Sequence, residues 1–141
     1  MDALNDEHGQ ALLLAVLLLA IGAVAISGLR MAQEQILAAA REHRAGEAAI
    51  EAATAVIADA YVAELRRETS DGSGLDVFGA VTATRAREAA RAAAGEVSFL
   101  NGGPTVGAIA VRCAVGLVDV SVTISDRLYR AGFHGPLCFQ R

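Results

Sequence analysis

A chain of 141 residues is long enough for one small domain with accessories, but too short for two full domains. Its apolar fraction is 54%, yet aromatics make up only 4% and Trp is absent, so Ala, Val and Leu carry the hydrophobicity and any core is thin. The net charge is a mild -4, and the basic residues, all Arg, are interleaved with Glu; no basic patch points to nucleic acid.

Residues 1–9, MDALNDEHG, form a leader-like segment that is acidic and holds no Arg or Lys. Residues 10–29 follow without a charge. At about 1.5 Å per residue, positions 11–29 reach roughly 28 Å, close to a hydrocarbon core of about 30 Å. The stretch therefore reads as a transmembrane helix. A secretory signal would have a basic start and a shorter apolar run, although Ala23-Val24-Ala25 imitates a cleavage site. A buried soluble helix would show an apolar stripe, whereas here every face is apolar.

Residues 30–68 contain no Pro and one Gly, Gly46, and are rich in Ala, Glu, Arg, Leu and Gln, all good helix formers. Ile36, Ala40, His43, Glu47, Ile50, Thr54, Ile57, Tyr61 and Leu65 recur at spacings of three and four, which predicts one packing face. Membrane segment and continuation thus form one helix over 10–68, roughly 90 Å long if straight. The run 69–74, TSDGSG, ends it with turn formers.

Residues 69–141 predict a small α+β domain. A second helix is expected over 77–94, with Gly95 as its stop. A loop at 101–104 precedes two strands, 106–113 and 117–125, joined by a turn at Ala114-Val115-Gly116. In the second strand Val118, Val120, Val122 and Ile124 alternate with Asp119, Ser121, Thr123 and Ser125, the period of a half-buried sheet. Two strands are marginal alone, so the sheet needs a helix against it or a third strand. The tail around 133–139 supplies that strand or is pinned by a disulfide. Cys113 and Cys138 are an even pair in a chain that enters an export route, which suggests one bond closing a loop of roughly 25 residues, worth about 3 kcal/mol. Two unrelated buried thiols are the alternative.

No site chemistry emerges. His8, His43 and His134 show no metal-ligand spacing with one another or with the cysteines. His43 and Glu47 stand one turn apart and make a local pair at most, and Glu47 and Glu51 read as a solvated edge. There is no nucleophile elbow, phosphate loop or zinc motif. The expectation is a non-enzyme with no catalytic, cofactor-binding or metal-binding residues and no small-molecule substrate.

The junction Gly9-Gln10-Ala11-Leu12-Leu13-Leu14, the apolar run behind it and the Ala-rich amphipathic continuation resemble the pilin-like proteins of tight-adherence (Tad, or Flp) pili, in particular the TadE/TadG-like group. The likeness covers the first 60 or so residues best, and the order of elements after them. It implies cleavage after Gly9, a mature N-terminus at Gln10, and assembly with other pilin-like subunits or platform proteins through the long helix. The helix packing positions would be Ala11, Ala15, Ala23, Ser27 and Gly28, whose small side chains allow close approach, and Ile36, Ile50, Ile57 and Tyr61 further along. The chain departs from the processed pattern at Leu14, where such stems carry Glu at the fifth mature position. That departure favours the TadG-like side, an uncleaved, membrane-anchored accessory of an envelope complex. Location follows in the same way: a bacterial cell membrane, crossed once, with the C-terminal domain outside the cytoplasm and a place in a surface pilus. Arg30, Arg41 and Arg44 all follow the apolar segment and taken alone point the other way, toward a cytoplasmic domain.

Overall fold

The structure, a computed structural model, describes residues 3–72 and 74–139, with side chains from Gln10 onward apart from Asp71. Helix α1 spans Ala3–Asp71. It contains no Pro, and its scattered glycines cost less than its Ala and Leu content returns. The helix ends a few residues beyond the expected 68, because the turn formers join its last turn. Thr69 Oγ1 and Ser70 Oγ both donate to the Arg66 carbonyl, at 2.7 and 3.0 Å. Gly72, at φ +62°, then donates its N–H to Glu68 O and stops the helix in the left-handed conformation that Gly tolerates best.

The chain divides into two compact units, Met1–Ala39 and Ala40–Arg141. In the first, α1 exposes Leu12, Leu17, Ile21, Val24 and Leu29 among many others. It contains one stretch long and apolar enough to cross a membrane, none of it buried within the chain.

The second unit is α+β. The helix expected over 77–94 is two helices, α2 (Val77–Thr82) and α3 (Thr84–Leu100). Asp76 caps α2, its Oδ1 accepting from Gly79 N–H at 3.0 Å. Ala83 turns to an extended ψ of 143° and separates the two. Gly95 does not end α3, because Ala90, Ala94 and Ser98 continue one buried stripe past it. The stop comes later. Gly102, at φ +68°, donates to Phe99 O, Gly103 donates to Ser98 O, and Ser98 Oγ reaches Pro104 O at 2.8 Å. A left-handed Gly with such backward bonds is a standard helix end.

Strands β1 (Val106–Ala114), β2 (Leu117–Ile124) and β3 (Arg127–His134) form an antiparallel meander in that order. The third strand starts directly after β2, earlier than the expected 133–139. Both hairpins turn through two residues, Val115-Gly116 and Ser125-Asp126, all four at positive φ. Such turns match the natural twist of the flanking strands. One sheet face stacks Cys113, Val118 and Phe133, then Val111, Val120 and Ala131, then Ile109, Val122 and Tyr129. The other face sets Arg112 opposite Asp119 and Ser121 opposite Arg130.

The apolar face packs on α1 and α3. From α1 it receives Ala49, Ile50, Ala53, Ile57 and Tyr61, all buried, while Ala45 is buried against Gly103. His43 and Glu47, expected on this face, are instead 60% and 58% exposed. The buried row is carried by small residues, with Gly46 and Ala49 one turn apart and Ala53 one turn beyond. Their size lets the aromatic rings of β3 lie close to the helix backbone.

Candidate interaction surfaces

The expected helix-packing positions fall into two sets. Ala11, Ala15, Ala23, Ser27, Gly28 and Ile36 belong to the first unit and are exposed. Ile50, Ile57 and Tyr61 are buried in the second, so they serve the chain's own core rather than a neighbour. Ser27 Oγ donates to Ala23 O at 2.8 Å. That bond satisfies the hydroxyl inside the helix and lets Ser27 face an apolar medium at little cost. Nothing lies within 4 Å of where a side chain would start at Gly22 or Gly28, so each is an open notch. At the expected junction, Gln10 is exposed, while Gly9 and His8 fall outside the residues whose side chains are described.

Two aromatic contacts hold β3 to α1. Tyr129 lies over Gly46, where a methyl group would overlap the ring. Tyr61 meets Phe133 edge-on, with centroids 5.7 Å apart and planes at 78°, a favoured arrangement. The Tyr129 hydroxyl is buried without a hydrogen-bond partner. The His43 ring is 6.2 Å from the Tyr129 ring, and its Nε2 stands 3.3 Å from Glu47 Oε1.

The α1–α2 connection is held by Glu64. Arg67 donates to both its carboxylate oxygens, at 2.6 and 2.9 Å, and Asp76 N–H donates at 3.1 Å. The Arg67 hydrogen bonds first, and then the Asp76 amide, favour the charged form and lower the Glu64 pKa from 4.5 to about 2.

Cys113 at the end of β1 is joined to Cys138 in the C-terminal tail, with Cα atoms 5.3 Å apart and both side chains buried. The tail is therefore pinned by the bond, and it does not add a strand. Two backbone bonds reinforce the pin: Gly116 N–H to Cys138 O at 3.2 Å, and Gly135 N–H to Gly116 O at 2.8 Å. At the opposite end of β1, an open groove of 560 Å³ runs between α3 and the start of the strand, lined by Ala92, Gly95, Phe99, Pro104 and Val106 among others.

Among the described residues no three His, Cys, Asp or Glu side chains gather where they could hold a metal ion. The features that stand out are surfaces of contact: an exposed apolar helix, a groove that also carries Glu88, Arg91 and Glu96, and a tail fastened to a hairpin. A search for large apolar residues misses Gly46 and Tyr129. The signal for β3 was available in Tyr129, Ala131 and Phe133 at period two, directly after a Ser-Asp turn. No family model, curated protein or solved structure matches this chain.

Proposed function

We propose that this chain is a minor pilin-like structural or assembly subunit of a Tad or type IV-like pilus or a related secretion system, acting through helix bundling and surface contacts. One observation carries the reading. A single helix, α1, supplies a fully exposed apolar segment at one end and the core-forming face of a small α+β unit at the other. A simple anchor needs no such continuity, since a flexible linker between membrane helix and domain would serve. A subunit that bundles through its stem gains from it, because one helix then supplies both the segment that packs between copies and part of the core of the head. On this proposal the stem rests in the cell membrane, the α+β unit lies outside the cytoplasm, and the partners are other pilin-like subunits or assembly-platform proteins.

Leu14 supports a second reading, an unprocessed single-pass accessory or binding protein of an envelope complex. N-terminal sequencing of protein from the native cell separates the two. A start at Gln10 fits a processed subunit, and retention of residues 1–9 fits the accessory. Assembly is tested by shearing surface filaments from cells and probing the fraction for this chain. Its exclusive recovery with the membrane pellet would overturn the subunit proposal.

A further inference from the structure

The corner between α3 and β1 carries a chemically labile pair, Asn101-Gly102. Asn is among the thermolabile side chains, and the residue after it sets how labile it is. The side-chain amide is lost when the next backbone nitrogen attacks its carbonyl carbon. A Cβ on that next residue crowds the approach, and Gly has none. The chain holds one other Asn, Asn5, and there Asp6 follows. Asn101 is exposed, so water reaches the pair.

The end of α3 holds the two reacting atoms apart. Asn101 closes the helix at φ -92° and ψ 10°. The ring formed by the attack needs the Gly102 nitrogen beside Asn101 Cβ, but at this ψ it stands beside Asn101's own nitrogen. Both groups are also engaged. Gly102 N–H donates to Phe99 O at 2.9 Å, which retains the proton that has to leave. Asn101 Nδ2 donates to Val97 O at 2.8 Å, which turns the amide back along the helix. Gly103 N–H to Ser98 O and Ser98 Oγ to Pro104 O, both at 2.8 Å, brace the turn beyond.

We propose that Asn101 is a site of spontaneous modification, converted to aspartate or isoaspartate without an enzyme, and that the end of α3 is the gate that sets its rate. The Gly102 nitrogen forms a bond to Asn101 Cγ, and its proton passes by way of water to the departing nitrogen. The Cγ–Nδ2 bond breaks and ammonia leaves, which gives a cyclic imide. Water then adds to either imide carbonyl and opens the C–N bond there, yielding aspartate or isoaspartate. Water is the one co-reactant, and no electrons change hands.

The reaction proceeds only in molecules whose last turn of α3 has opened. The observed rate is therefore the open fraction multiplied by the rate in the unfolded segment. Once made, the product does not rebuild the gate. Either product places a carboxylate at the C-terminal end of a helix, where the helix dipole disfavours negative charge. Isoaspartate also adds a methylene to the backbone before Gly102, which takes Gly102 and Gly103 out of register with Phe99 O and Ser98 O. The turn that seats Gly103 against Ala45 of α1 is loosened as a result.

The test incubates the purified full chain in detergent at neutral pH, beside a sample unfolded in urea. Position 101 is read by peptide mass spectrometry, and isoaspartate by enzymatic methylation. Conversion is expected in both samples, about tenfold or more slower in the folded one. Hydrogen exchange at the Gly102 amide reports the same opening, so its protection factor should match that slowing to within a few-fold. S98A removes the brace to Pro104 and should raise the folded rate several-fold with no change in urea. G102A, read in urea where the fold plays no part, should slow conversion about tenfold, because it restores the crowding Cβ. An unfolded chain that keeps Asn101 intact overturns the site, as does a G102A rate equal to the native one in urea. Equal rates in folded and unfolded samples overturn the gate. So does a protection factor far from the slowing, or an unchanged rate in folded S98A. The exchange comparison needs no variant, so it decides the matter even where S98A does not fold.

Discussion

Gly46 shows how one hydrogen atom in place of a side chain decides the packing of two elements. In an exposed helix, Gly to Ala gains up to about 1 kcal/mol. Here the added methyl would fall inside the Tyr129 ring, which must then leave its place against α1. Overpacking of this kind costs about 1–3 kcal/mol, so the overlap outweighs the propensity gain. G46A is expected to lower the melting temperature of the α+β unit by several degrees, read by near-ultraviolet circular dichroism of the full chain in detergent. G95A is the matched comparison. Nothing lies within 4 Å of its new methyl, and the same measurement should show a gain of about 0.5–1 kcal/mol. If both variants stabilise, Tyr129 does not rest on Gly46 as described. This is also where the reading from sequence erred. His43 sits two residues from buried Ala45 and Glu47 one residue from buried Gly46, and both side chains turn off the packed row to solvent. A pattern keyed to large apolar side chains passed over Ala45, Gly46, Ala49 and Ala53, whose value lies in what they leave out.

At the scale of elements, period and turn chemistry carried most of the information. The alternation from Val118 to Ile124 placed β2 correctly to within a residue, because a one-residue slip would turn every one of those side chains to solvent. Helix ends were less legible. Gly95 resembled a stop, but a glycine ends a helix only when the residues beyond it have nothing to bury, and Ser98 does. The α1–α2 connection depends on Glu64, which no periodicity distinguishes from its neighbours. Its lowered pKa has a definite consequence for stability. A carboxylate whose folded pKa lies below its unfolded value contributes fully above about 4.5, and the contribution disappears as pH falls through about 2. E64Q should therefore melt at a lower temperature than the native chain at neutral pH, and the difference should shrink steadily between pH 4.5 and pH 2. A difference that stays constant across that window would show that the Arg67 and Asp76 bonds do not stabilise the charged form.

On the scale of the whole molecule, the membrane-spanning reading and the paired cysteines make opposing demands with the flanking arginines. Arg30, Arg41 and Arg44 favour a cytoplasmic α+β unit. A structural disulfide favours an oxidising compartment, since cytosolic thiols are kept reduced. The bond bears on more than topology. It fastens the tail over Val118 and Tyr61, which Gly135 approaches at 2.9 and 3.2 Å from where its side chain would start. Closing a loop of this length is worth about 3 kcal/mol, a large share of the stability of a unit with so thin a core. The proposal that this unit lies outside the cytoplasm therefore predicts that the bond is formed in the cell. Cells quenched in acid and then treated with a maleimide under denaturing conditions, before any reduction, should leave Cys113 and Cys138 unlabelled although unfolding exposes them, and both should label once the bond is reduced. C113S and C138S should each lower the melting temperature, and the double variant should match the single ones, because either change already removes the whole bond. Labelling of both thiols in the first step would place them in a reducing compartment, and the arginines would then have given the true orientation.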